Sequence, residues 1–233
     1  MGEERPEADE ISRKFIIDEA YGTTGGVYPS ETLVLCKASF ASGTSESSDS
    51  SDSQDVAENF NNLRLQGWIF RNRISGHAEE LCLQRLRQRD SQAQRIEVEL
   101  IQSYAPCHHC ADKIIAYKEE KEREGKTVAI TIKFAKYYRW IGPGTDEDGV
   151  KNLRKLTEMR EGDIDLHLLQ GRNSWENLFE DYELVNLNDD DQTRLLEKAT
   201  SPARINREGY DNNLFDLIMQ GEPVAEWMNL PLH

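Results

Sequence analysis

His77 and Glu79 stand two positions apart, and 26 residues separate Glu79 from the run Pro106-Cys107-His108-His109-Cys110. Together these segments offer one imidazole, two thiols and one carboxylate. Tetrahedral zinc takes such nitrogen and sulfur donors, and three protein ligands leave a fourth position open for water, as in catalytic rather than structural sites. A closed structural site would use a fourth Cys or His at similar spacing. The remaining cysteines, Cys36 and Cys82, instead lie inside apolar runs. Two thiolates cancel the charge of Zn²⁺, which makes it a weaker Lewis acid than one held by three imidazoles, yet still able to acidify a bound water. A proton carrier is then required, and Glu79 is the residue placed to be one.

The spacing also dictates geometry. Cys107 and Cys110 are i and i+3, so at the start of a helix their sulfurs share one face. The stretch from Ala111 to Tyr117 reads as that helix, and Pro106 suits the approach to its first turn. A helix N-terminus favours thiolates. His77 to about Gln88 reads as a second helix, with Gly76 just before it. His108 and His109 point away from the shared sulfur face and read as surface or rim residues. Taken alone, CxxC fits a redox pair or an incidental spacing equally well, and His77 with Glu79 fits a buried helix start.

The order HxE…PCxxC narrows the chemistry to hydrolytic removal of a nucleobase amino group, with zinc-bound hydroxide attacking C4 of cytosine or C6 of adenine and the Glu as acid and base. The flanks carry more. Glu31-Thr32-Leu33-Val34-Leu35-Cys36 resembles the first strand of the AID/APOBEC polynucleotide cytidine deaminases, and Gly67-Trp68-Ile69-Phe70-Arg71-Asn72-Arg73 resembles their second strand and the turn that follows. Ser103-Tyr104-Ala105-Pro106-Cys107 is similar to their Ser-Trp-Ser-Pro-Cys. Ala135-Lys136-Tyr137-Tyr138 with Glu147 to Arg154 is similar to their fourth strand and fourth helix, and Ser174-Trp175-Glu176-Asn177-Leu178-Phe179 to the segment after strand five. The resemblance spans roughly residues 11 to 182.

The resemblance implies zinc held by His77, Cys107 and Cys110, with Glu79 shuttling protons. It implies that Thr32, Ala78 and Tyr104 line the pocket, that Asn72 bonds the target nucleotide's sugar, and that Tyr138 stacks on the flipped base. Arg71, Arg73, Lys136, Arg139 and Trp140 would contact the strand. Its substrate would be single-stranded nucleic acid, DNA favoured over RNA, and its purpose mutation, diversification or restriction of foreign nucleic acid. Tyr104 replaces the family's Trp and Ala105 its Ser, so the aromatic wall is kept and a hydroxyl near the amino group is lost. Lys136-Tyr137 stands for the usual Arg-Leu. Read without the family, Tyr137, Tyr138 and Trp140 fit a strand end, while Lys133, Lys136 and Arg139 among them make a mixture suited to stacking bases and gripping phosphates.

A formal net charge of −15 opposes this reading, since phosphates are usually neutralised by Lys and Arg. Many acids fall in 46–58 and 176–191, away from Arg71, Arg73, Lys133, Lys136 and Arg139. Charges beyond about 8–10 Å are largely screened, so a local basic groove predicts weak, salt-sensitive binding. The cysteine usage points to a reducing compartment. With no apolar leader and no long apolar run, the expectation is a cytoplasmic or nuclear protein rather than a secreted or membrane one.

The elements that must position these groups follow from periodicity. Residues 11–20 read as a helix, 33–40 and 63–70 as a strand pair, 96–101 and 127–134 as alternating strands, 146–158 as a helix and 164–169 as a strand. Further helices are expected near 192–199 and 213–219. The run 118–124 reads as a solvated helix end closed by Gly125. Residues 41–57 are Ser/Asp-rich and predict a disordered insertion between strands one and two. Residues 183–233 are expected to form a C-terminal helical extension of a single domain over 1–233, a deaminase domain by the resemblance. The expected fold is a three-layer α/β domain with a mixed five-stranded sheet, about six helices on both faces, and strands four and five parallel. Two other readings stay open: a deaminase of free cytidine or a nucleotide, and a non-catalytic zinc-stabilised nucleic-acid-binding module.

Overall fold

The computed structural model describes residues 32–42, 66–72, 76–137, 147–169, 173–174, 177 and 212–221. Five strands form one mixed sheet: β1 (Leu33–Ala41), β2 (Gln66–Arg71), β3 (Arg95–Gln102), β4 (Thr127–Phe134) and β5 (Ile164–Leu168), in the order β2-β1-β3-β4-β5. β1 is antiparallel to both neighbours, with Cys36 opposite Trp68 on one side and Leu100 on the other. The pairs β3·β4 and β4·β5 are parallel. Parallel neighbours need crossovers, and helices α2 (His108–Arg123) and α3 (Glu147–Glu161) supply them. Helix α1 (Ala78–Arg87) follows β2, and α4 spans 212–220.

The core is built by strand alternation. Val34, Cys36 and Ala38, Ile96, Val98 and Leu100, Val128, Ile130, Ile132 and Phe134, and Ile164 and Leu166 all project from one face. Leu83 and Leu86 of α1, Ile114 and Tyr117 of α2, Leu153, Leu156 and Met159 of α3, and Leu214 and Ile218 of α4 close over it. Phe215 meets the Phe134 ring edge-on at 6.2 Å, which ties α4 to the same layer.

Four helices are delimited among the described residues and all four share one core, with further helical residues at 173–174 and 177; the expected number of about six is not confirmed. The helices expected at 11–20 and 192–199 lie outside the described residues. Ala41, read as the start of the insertion, instead closes β1 by pairing with Arg95; most of that insertion is outside the description. No described helix is long and apolar enough to cross a membrane.

The charged run late in α2 is a second departure. Lys118 and Lys121 are buried, not solvated. Lys121 Nζ lies 3.4 Å from Asp90 Oδ2, 3.1 Å from Glu120 and 3.0 Å from Glu124. Asp90, itself buried, accepts the Tyr117 hydroxyl at 2.9 Å. A buried charge is tolerated only when paired and hydrogen-bonded, and this knot locks α2 to the turn before β3. Gly125 follows at φ 81°, the left-handed turn that ends the helix.

Candidate metal centre

β2 and β3 flank β1, both antiparallel to it, so they run the same way. Each is followed by a helix, and both helices therefore begin at the same edge of the sheet. The topology brings His77, at the head of α1, to Cys107 and Cys110, at the head of α2. The donor atoms of His77, Cys107 and Cys110 all lie within 4.8 Å of one another. His77 Nδ1 is 3.2 Å from Cys110 Sγ and 3.5 Å from Cys107 Sγ.

Zinc fits this donor set. Bonds of about 2.3 Å to sulfur and about 2.05 Å to nitrogen at a tetrahedral angle separate the two donor types by about 3.6 Å. The two N···S distances approach that value without any rearrangement. Cys110 is fully buried and Cys107 nearly so, whereas His77 is exposed. An ion on these ligands would thus be held from the protein side and approached from the imidazole side.

Both helices start on a ligand. His77 is the N-cap of α1 and Cys107 the N-cap of α2, each with extended backbone. The free amides of two helix N-termini converge on the site and favour negative charge there. Hydrogen bonding from Cys110, aided by the backbone and His77, lowers the Cys107 thiol to about 5. The same partnership, with burial and the nearby Glu79, drives Cys110 upward. The two thiols are thus pulled in opposite directions, with negative charge favoured on Cys107.

Glu79 is one residue into α1, 3 % exposed, and in hydrogen-bond contact with Cys110. Desolvation raises its carboxyl to about 7, helped by the Cys107 charge and resisted by its backbone hydrogen bond and His77. A carboxyl that is half protonated near neutrality is suited to passing protons in both directions. Glu80, its neighbour, turns outward and pairs with Lys113 of α2, bracing the two ligand helices against each other. Gly76 sits before His77 at φ +156°, and a Cβ there would come within 2.7 Å of Glu80 Oε2.

The remaining expected residues are placed as follows. Thr32 is buried at the head of β1, and its carbonyl accepts the Asn72 backbone N–H at 3.2 Å. Asn72 Oδ1 accepts the Ala78 N–H at 2.9 Å, so its side-chain oxygen is committed to the head of α1. Ala78 is fully buried. Tyr104 is half-buried in the link from β3 to Cys107, and the Ala105 N–H donates to the Lys136 carbonyl at 2.6 Å, joining that link to the end of β4. Arg71 ends β2 opposite Leu33. Arg73, Tyr138, Arg139 and Trp140 lie outside the described residues.

Two sequence readings change. Lys133, grouped with the site cations, projects from the sheet face opposite Ile132 and Phe134 and pairs with Glu99 at 3.1 Å. His108, read as a rim residue, is partly buried, and its Nδ1 lies 3.0 Å from Asn152 Oδ1. Asn152 was missed altogether. A polar residue on the apolar stripe of α3, beside Leu153 and Leu156, was the available signal.

No protein-family model and no curated protein matches this sequence. What stands on the geometry is an α/β fold with one mixed sheet and a His/Cys/Cys cluster able to hold a metal ion, loosely compatible with a zinc deaminase.

Proposed function

We propose that the chain is a zinc-dependent deaminase of the AID/APOBEC type, converting cytosine to uracil in single-stranded DNA or RNA. The observation that carries this reading is Glu79: a buried carboxyl beside a three-donor set, not one of its donors, with a pKa of about 7. A purely structural metal has no use for it. When bound, zinc supplies Lewis acidity that makes a hydrolytic water easier to deprotonate.

The chain's own residues do the rest. His77, Cys107 and Cys110 would hold the ion, with the exposed His77 on the side proposed for entry of the base. Glu79 accepts a proton from the attacking water as a C4–O bond forms and returns it to the ring nitrogen. It then carries the second proton to the amino group, so that the C4–N bond breaks and ammonia departs. Thr32 and Tyr104 are the proposed pocket residues, with Tyr138, Arg139 and Trp140 as the proposed contacts to the flipped base and its neighbour. DNA is the favoured polymer.

The test is uracil formation on matched DNA and RNA oligonucleotides and on free cytidine, with zinc content measured in the same preparations. Deamination of oligonucleotides, abolished in Glu79→Gln with zinc retained, is the expected result. Turnover of free cytidine alone would make the chain a nucleoside deaminase. Stoichiometric zinc with no turnover of any substrate would make it a binding module.

A further inference from the structure

A helix that begins on a metal ligand has a structural problem. The N-cap side chain normally accepts one of the first free amides. His77 and Cys107 occupy the N-cap positions of α1 and α2, and neither side chain caps its helix. Both helices solve this alike, with an asparagine oxygen brought from elsewhere. Asn72 takes the Ala78 N–H at 2.9 Å, and Asn152 takes the His108 N–H at 2.7 Å.

Asn152 is the more telling of the two. It reaches the head of α2 from the middle of α3, 44 positions along the chain, and it is buried. Asparagine is a poor helix-interior residue, and a buried carboxamide is costly unless bonded. Its presence there answers a contact, not the helix. The His108 amide identifies the bonded atom as Oδ1, because an N–H needs an acceptor. His108 Nδ1, 3.0 Å from the same oxygen, must then carry its proton.

The contact bears directly on a ligand. The peptide between Cys107 and His108 is held at both ends: its carbonyl accepts the Ala111 N–H at 2.9 Å, and its N–H donates to Asn152. Pinning that plane pins the Cα from which the Cys107 sulfur hangs. We infer that Asn152 is a positioning residue for the metal, a clamp that sets Cys107 relative to His77 and Cys110. This rests on the metal-site part of the proposed function and on nothing about the substrate.

The test measures zinc affinity by chelator competition, and the spectrum of the cobalt-substituted protein, whose sulfur charge-transfer and d–d bands report ligand geometry. Asn152→Ala is expected to weaken zinc binding about 10–100-fold and to move the cobalt bands. Asn152→Asp keeps an acceptor facing the amide and is expected to restore most of both. Leu156→Ala, one turn further along the same helix, should lower the melting temperature while leaving affinity and spectrum unchanged.

A second arm leaves Asn152 intact. Proline at 108 removes the donor at a position where a helix tolerates it, and Cys107 already has the φ −67°, ψ 162° that a residue before proline requires. His108→Pro should therefore weaken zinc binding well beyond His108→Ala. Adding Asn152→Ala should cost nothing further in the proline background and its full effect in the alanine background.

Unchanged affinity and cobalt bands in Asn152→Ala would overturn the inference, as would an equal loss in Leu156→Ala or an Asn152→Ala effect that persists beside proline. If Asn152→Ala does not fold, equal affinities for His108→Pro and His108→Ala overturn it alone. A wild-type chain that binds neither zinc nor cobalt would sink the metal reading beneath it. A wild-type chain that binds zinc but deaminates nothing leaves the clamp standing and removes only the reaction.

Discussion

Glu79→Gln is expected to stabilise the metal-free protein above neutral pH while removing its means of moving protons. Burial raises the Glu79 carboxyl from 4.5 to about 7. An acid whose folded pKa is raised holds its proton more tightly when folded. The stability it carries is complete below about 4.5 and is lost as pH rises through about 7, so the folded state loses ground across that window. With one pKa unit worth about 1.4 kcal/mol, the loss from this group between pH 5 and pH 8 is about 2–3 kcal/mol. Glutamine has nearly the same shape and does not ionise, so its advantage over glutamate should grow by that amount across the interval.

Urea unfolding of both proteins with chelator present, at pH 5 and pH 8, measures this directly. For a domain of this size about 2–3 kcal/mol corresponds to a melting-temperature gain of about 5–10 °C. Loading zinc should shrink the pH-dependent gain, because a nearby cation favours the carboxylate. In the loaded protein the same substitution should lower deamination by at least about 100-fold. A stability difference that is the same at pH 5 and pH 8 would show that Glu79 does not titrate in a desolvated position, and the proton-shuttle argument would lose its basis.

Three other outcomes follow from the same geometry. At pH 7 the metal-free thiol pair should carry one thiolate, since Cys107 is lowered to about 5 while Cys110 is pushed up. The ultraviolet thiolate band lost in Cys107→Ser should equal about one equivalent, and zinc should release about one proton from the pair rather than two; an unchanged band in the variant contradicts this. At Gly76 the Glu80 carboxylate tip can swing away from an added Cβ, but the φ of +156° disfavours any side chain, so Gly76→Ala should cost about 1–3 kcal/mol in thermal unfolding and weaken zinc binding; wild-type stability would refute it. Tyr117→Phe strips a donor from buried Asp90 and should cost about 1–3 kcal/mol while leaving zinc affinity intact, because Tyr117 lies about two turns beyond Cys110. A changed zinc affinity there would mean that the far end of α2 is coupled to the site.

The parts of this protein that were legible in its sequence are those written in local periods. The alternation of Val128, Ile130, Ile132 and Phe134 marks β4 at its observed bounds, Thr127–Phe134. The i, i+3 spacing of Cys107 and Cys110 places two sulfurs together without knowledge of the fold. That His77 joins them depends on two strands running the same way beside a third, a fact the motif order suggests and the sheet supplies. What was illegible is long-range pairing. Nothing local tells that Lys121 is buried against Asp90, or that Asn152 reaches His108.

Lys133 is different, because its misplacement was avoidable. In a strand whose even positions are apolar and buried, an odd-numbered lysine faces the opposite side. Membership of a basic run drew it into the site, and parity alone would have removed it. The same parity carries a consequence for the proposed substrate path. With Lys133 paired to Glu99 across the sheet, the cations proposed to grip phosphate are Arg71 at the end of β2, Lys136 just after β4, and Arg73 and Arg139, which lie outside the described residues. In a chain of formal charge −15, so few contacts imply weak, salt-sensitive binding, with a loss of about one logarithmic unit of affinity per logarithmic unit of salt for each phosphate engaged. Reversing Glu99 to Lys should therefore leave oligonucleotide affinity unchanged, whereas Lys136→Ala should lower it and reduce the salt slope by about one.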